Sequence, residues 1–229
     1  MKREAAEALS KAQEDFEKDN YTIVVYDAYR PQMTVDYFVN WTLDLNDTVH
    51  KAEYYPFLNK DQLIPDYIAP KSGHTKGYSV DMTIAMIGSQ IMNKGWYPRI
   101  LKDGSQIYFL EDGTIDMGSS FDFFGNVSHH NSSEVDQKYI VLRNYLASIM
   151  IKNGFEPLHE EWWHYNLKNT TSDTLYNFTI VAPPAITQST TPVHQSGNVL
   201  DEPTRLRKAS DLYYSRSALC FLLILAQID

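Results

Sequence analysis

His74 and Asp81 stand either side of a glycine, in the stretch Ser72-Gly73-His74-Thr75-Lys76-Gly77-Tyr78-Ser79-Val80-Asp81. This S-x-H-x-x-G-x-[small]-x-D pattern constrains the chain more than any other feature. Gly77 and the small Ser79 suit a tight bend that returns Asp81 to the side of His74. Asp81 then runs into Met82-Thr83-Ile84-Ala85-Met86-Ile87, a run that reads as a strand. An imidazole and a carboxylate held at such a bend are candidate metal ligands.

A single cysteine, Cys220, excludes both an intrachain disulfide and a cysteine-rich metal site. Any metal must therefore be held by His, Asp and Glu. The complementary half lies in Glu160-Glu161-Trp162-Trp163-His164. Zinc accepts imidazole nitrogen and carboxylate oxygen, and catalytic zinc sites use three protein ligands with one position left open. His74, Asp81 and His164 form such a set, for one Zn2+ per chain. Glu161, three residues before His164, is placed to take a proton from a water and pass it to a leaving amine. Spacing alone does not separate it from Glu160. The other histidines read as ordinary surface or hydrogen-bonding residues, and Trp162 and Trp163 as core and pocket wall.

Around these segments the pattern alternates helix and strand. Ala5, Ala8, Leu9, Ala12 and Phe16 mark an amphipathic helix over residues 3–18. Tyr21 to Tyr26 is a buried strand that delivers Asp27-Ala28-Tyr29-Arg30-Pro31, and a second helix runs from about Gln32 to Leu43. Arg30 either stabilises a developing oxyanion or forms a salt bridge with Asp27 or another acid. Residues 44–71, punctuated by Pro56, Pro65 and Pro70, read as loop and short helix. Asp103-Gly104 and Asp112-Gly113 suggest hairpin turns on both sides of Gln106 to Leu110. Val135 to Asn153 is a helix closed by Gly154, and Phe155 to Leu167 a pair of strands.

A chain of 229 residues, 43% hydrophobic, buries one good core. We place that domain at residues 1–168. Residues 169–229 form a Ser/Thr/Pro-rich linker and a tail whose apolar run, 218–226, falls short of the roughly twenty residues a membrane span requires. The net charge of -9 disfavours nucleic acid and anionic membrane as partners. The first residues are charged and helical, without the apolar segment of a leader.

Seven of the thirteen asparagines stand in N-x-S/T sequons: Asn20, Asn40, Asn46, Asn126, Asn131, Asn169 and Asn177. Composition alone would give about two. Either the chain is simply rich in Asn, Ser and Thr, or it is a secretory-pathway glycoprotein; compartment, cytoplasmic or secreted, is open at this point.

Five segments in order resemble the zinc D-alanyl-D-alanine dipeptidases associated with vancomycin resistance. They are Arg3-Glu4-Ala5-Ala6, Tyr26-Asp27-Ala28-Tyr29-Arg30-Pro31, the Ser72 to Asp81 stretch, Asp116-Met117-Gly118 with Phe121-Asp122, and Glu161-Trp162-Trp163-His164. The resemblance covers roughly residues 2–168. It implies an α+β fold, an antiparallel sheet flanked by helices, shared with zinc D,D-carboxypeptidases and the Hedgehog signalling domain. It implies hydrolysis of the small dipeptide D-Ala-D-Ala to two D-Ala in cell-wall metabolism. His74, Asp81 and His164 would be the zinc ligands, Glu161 the base, and Arg30 the transition-state stabiliser. Ser72 would help hold the substrate carboxylate and Asp116 receive its ammonium. A related zinc D,D-carboxypeptidase or cell-wall peptidase, and a zinc-binding domain without turnover, are the competing expectations. Ser79 stands where that family has Ala, a change expected to matter little; family members also carry a further stretch before the first helix.

Overall fold

The computed structural model describes residues 1–170 and 172–180. The proline-containing part of the expected linker beyond residue 180, the apolar run 218–226 and Cys220 lie outside the described residues. Helix α1 (Arg3–Glu17) leads into β1 (Tyr21–Asp27), α2 (Gln32–Leu43), and the single turns α3 (Lys51–Tyr54) and α4 (Gly73–Lys76). Strands β2 (Ser79–Met86), β3 (Gly95–Ile100) and β4 (Gln106–Glu111) follow, then α5 (Gln137–Lys152), β5 (Phe155–Leu158) and β6 (Glu161–Leu167). The main sheet is antiparallel in the order β1-β2-β6-β5, and β3-β4 is a separate hairpin. This is the expected α+β architecture.

Strand β2 is buried on both faces except at Met86, and its alternation sorts two environments. Val80, Met82 and Ile84 enter the main core with Phe16 and Ala12 of α1, and Leu146 and Met150 of α5. Asp81, Thr83 and Ala85 take the alternate positions. The helices thus cover one side of the sheet and leave the other for the site.

Register sets the row on which the site is built. Asp81 pairs with Asp27 on one side and His164 on the other, so the three stand abreast across three strands. Two irregularities make that row. In β1 the register shifts between Val25 and Asp27, which brings Asp27 rather than Tyr26 opposite Asp81. In the β5-β6 pair Pro157 faces Tyr165 while Leu158 faces Glu161, so Trp162 to His164 bulge out of the ladder. Residues three apart on a regular strand face opposite sides; the bulge lets Glu161 and His164 address the same point.

Two hairpin turns were expected, and one forms. Asp103-Gly104 closes β3 onto β4, with Gly104 at a φ of 87° and Leu101 N–H bonding to the Ser105 carbonyl at 2.8 Å. Asp112-Gly113 instead ends the hairpin: the Asp112 carboxylate accepts from the Thr114 N–H and hydroxyl, at 2.9 and 2.6 Å. Strand β3 went unread because Gly95 and Pro98 interrupt its β pattern. The packed body also continues past residue 168. Gln32 N–H bonds to the Tyr176 carbonyl, Tyr176 N–H to the Thr75 carbonyl, and Phe178 stacks on Tyr29 at 4.2 Å.

The loop from Asp116 to His130 is fastened by Arg143, fully buried on α5, which donates to the carbonyls of Met117 at 2.7 Å and His129 at 2.6 Å. Burial lowers its pKa to about 9, which still leaves it charged at neutral pH. Arg143→Leu should cost about 2–4 kcal/mol in denaturant unfolding, since two carbonyls lose a charged donor. A change under 0.5 kcal/mol would show that the loop is held by other contacts.

Candidate metal centre

Each half of the site is delivered by local backbone chemistry. Ser72 is the N-cap of α4, its Oγ accepting the His74 N–H at 3.2 Å. Gly77 closes the turn in the left-handed region at a φ of 80°, which glycine adopts without strain. Chain direction reverses there, and β2 begins at Ser79, earlier than the apolar run alone indicates.

His74 Nε2, Asp81 Oδ2, Asp81 Oδ1 and His164 Nδ1 converge. His74 Nε2 lies 3.2 Å from Asp81 Oδ2 and 3.2 Å from His164 Nδ1, while His164 Nδ1 lies 2.9 Å from Asp81 Oδ1. All three residues are buried. Ligands about 2.0–2.1 Å from a tetrahedral ion stand about 3.3 Å from one another, so the observed separations are close to the edges of such a tetrahedron. The outer ring nitrogens agree. His74 Nδ1 lies 3.0 Å from the Ala28 carbonyl, and His164 Nε2 lies 3.1 Å from Asn166 Oδ1. Both partners only accept, so each outer nitrogen carries the hydrogen and each inner nitrogen presents a lone pair. Two lone pairs and a carboxylate turned on one point can hold a metal ion.

The electrostatics of these groups are strongly coupled. Burial would raise the Asp81 carboxyl, but His74 and His164 beside it hold it well below the usual range. Burial alone would lower His74; Asp81 overcomes this and raises it. Asp122, buried with a φ of 59°, is pushed well up by burial and then by Asp81. Glu161 is pushed well up by burial, then by Asp81 and Asp122. Its Oε2 lies 3.8 Å from His164 Nδ1, and it is more deeply buried than Glu160. Arg30 answers this acidic set: it bonds Asp27 Oδ2 at 2.9 Å and reaches to 3.6 Å from Asp81 Oδ2. Of the two expectations for Arg30, the salt bridge is the one that forms, with Asp27 and, more distantly, with Asp81.

Ser72 lies beside His74, its hydroxyl oxygen engaged in the cap and its O–H without an acceptor among the described residues. Asp116 is different. Arg99 of β3 holds both its oxygens, Nη1 to Oδ1 at 2.8 Å and Nη2 to Oδ2 at 2.6 Å. Arg99 itself lies 3.8 Å over the Phe109 ring.

Sequence reading missed Asn166. It stands two residues beyond His164 on a strand, a spacing that shares a face and could have pointed to it. Ser79 lies opposite Asn166 and its hydroxyl bonds Asn166 Oδ1, the same oxygen that meets His164. Ser79 therefore steadies His164 through Asn166. Gly73 leaves room for this: a Cβ there would lie 2.0 Å from Ser79 Oγ and 2.8 Å from Asn166 Oδ1. Ser79→Ala should weaken metal affinity about tenfold in a chelator competition, and Gly73→Ala by more. Unchanged affinity in both would remove the hydroxyl from the site.

Comparison with known proteins identifies the family. The family model described as D-ala-D-ala dipeptidase, peptidase family M15, matches residues 1–95 and 106–184. The unmatched residues 96–105 are most of β3 and the turn into β4. Among curated proteins, the D-alanyl-D-alanine dipeptidase of Enterococcus faecium is 32% identical over 168 residues, 72% of each chain. That of Streptomyces coelicolor is 32% identical over 176 residues, 76% of each chain. That of Escherichia coli is 26% identical over 173 residues, covering 75% of this chain and 68% of its own. With a matching model over most of its length and relatives above 30% identity, the chain belongs to the D-Ala-D-Ala dipeptidase family of M15 metallopeptidases.

Proposed function

We propose that this chain hydrolyses D-Ala-D-Ala to two D-Ala, with one zinc ion held by His74, Asp81 and His164. The observation that carries this reading is the convergence of two inward lone pairs and a buried carboxylate, with Glu161 at their side. Zinc supplies Lewis acidity, bringing the pKa of water toward neutrality and polarising a carbonyl. Glu161 takes the proton of the attacking water and returns it to the departing amine; burial, then Asp81 and Asp122, push its pKa well up. Arg30 brings positive charge to the oxyanion that develops on the scissile carbonyl. The Ser72 O–H serves the substrate carboxylate.

The ammonium end meets a site in which Asp27, Asp81, Asp122 and Glu161 outnumber the one guanidinium of Arg30. Asp116, the anchor implied by the resemblance, serves that end only by sharing a carboxylate that Arg99 already holds. The test is a pair of substrates offered to the zinc-loaded protein. Free D-Ala-D-Ala should be cleaved and N-acetyl-D-Ala-D-Ala left intact. Cleavage of both assigns a D,D-carboxypeptidase instead; cleavage of neither, with zinc bound, assigns a binding domain without turnover.

A further inference from the structure

We propose that this chain carries N-linked glycans at its sequons, attached while the protein is synthesised into a secretory compartment. The hydrolytic reading leaves the seven sequons unexplained, and their number is over three times what composition supplies. The fold adds an independent requirement. A glycan is bulky and hydrophilic, so an occupied asparagine has to stand at the surface. Asn20, Asn40, Asn46, Asn126, Asn131, Asn169 and Asn177 are all exposed, and none falls within a strand. Of the described asparagines outside sequons, Asn153 and Asn166 are partly buried and do structural work: Asn153 bonds Asp15 at 2.9 Å, and Asn166 meets His164.

The side-chain contacts leave the acceptor nitrogen available. Asn177 uses its Oδ1, accepting the Met33 N–H at 2.8 Å, and its Nδ2 meets no partner among the described residues. Two sequons also fix the timing. Thr42 is buried with its hydroxyl on the Val39 carbonyl at 2.7 Å, and Ser128 is fully buried with its hydroxyl on the Phe123 carbonyl at 2.6 Å. A transferase that must reach the hydroxyl two residues after the asparagine can read Asn40 and Asn126 only before the chain folds.

The donor is a lipid-pyrophosphate-linked oligosaccharide. The Nδ2–C1 bond forms as the C1–O bond to pyrophosphate breaks; Nδ2 gives up one proton, and the lipid pyrophosphate leaves. The test is made on protein isolated from its own source. It is treated with a peptide:N-glycosidase in 18O-water and digested, and the sequon peptides are weighed. Conversion of four or more of the seven asparagines to 18O-labelled aspartate is expected. Intact mass should fall by roughly 2 kDa for each site occupied. Exposed Asn59, Asn93 and Asn144, which lie outside sequons, should stay unmodified. Conversion at none of the seven, with no fall in intact mass, overturns the proposal. The outcome does not depend on catalysis, so it stands or falls apart from the peptidase reading.

Discussion

Glu161→Gln should leave a folded protein that binds its metal as before and cleaves D-Ala-D-Ala about a thousandfold more slowly. Glutamine preserves the shape and one acceptor oxygen, but it cannot take a proton from the attacking water or return one to the amine. General acid–base groups are worth about 10²–10⁴ in rate, and here one residue performs both transfers. The loss should fall on kcat, because the carboxylate is needed at the transition state rather than for holding the dipeptide. Metal content should not change, since Glu161 lies beside His164 and outside the converging set of three. A loss under tenfold would shift the base to another group, Glu160 being the neighbour to test. The structure weighs against that neighbour, because Glu160 is less buried.

Much of this site was legible because its chemistry is concentrated at short range. The cap at Ser72, the left-handed Gly77 and the strand after it are all written within ten residues, and local rules decode them. The pairing of that stretch with Glu161 to His164 rested on metal chemistry and on family resemblance. Backbone register then supplies the physical reason, placing Asp27, Asp81 and His164 abreast.

What spacing could not show was set by irregular backbone and by distant side chains. The Trp162 to His164 bulge reverses what period-two reasoning says about Glu161 and His164. The grip of Arg99 on Asp116 depends on a hairpin whose first strand lacks a β pattern and lies largely outside the family match. Ser79 looked neutral by size; its hydroxyl mattered only once Asn166 was seen opposite.

Zinc should raise the melting temperature of this protein by roughly 10 °C, and the gain should grow from pH 5.5 to pH 8. A ligand at a thousand times its Kd stabilises by about 4 kcal/mol, and 1 kcal/mol is worth about 2–4 °C in a domain of this size. The pH dependence follows from what occupies the site without an ion. Asp81 raises the pKa of His74 against the effect of burial, so a proton there stabilises the ion-free fold. That contribution is complete below the ordinary histidine value of about 6.5 and is lost as pH rises through the raised one. Metal binding needs the same nitrogen free, so proton and ion compete at low pH and only the ion serves at high pH. His164→Ala should abolish the gain at every pH, because it removes one of three donors from a buried set. Equal gains at pH 5.5 and 8, or a gain that survives His164→Ala, would mean that the ion binds elsewhere. The same excess of buried carboxylates bears on the size of the gain. Asp27, Asp81, Asp122 and Glu161 face one guanidinium, and like charges at this depth push the Asp122 and Glu161 carboxyls well up. A divalent ion held as proposed would relieve that repulsion, so stability and catalysis would draw on one electrostatic arrangement.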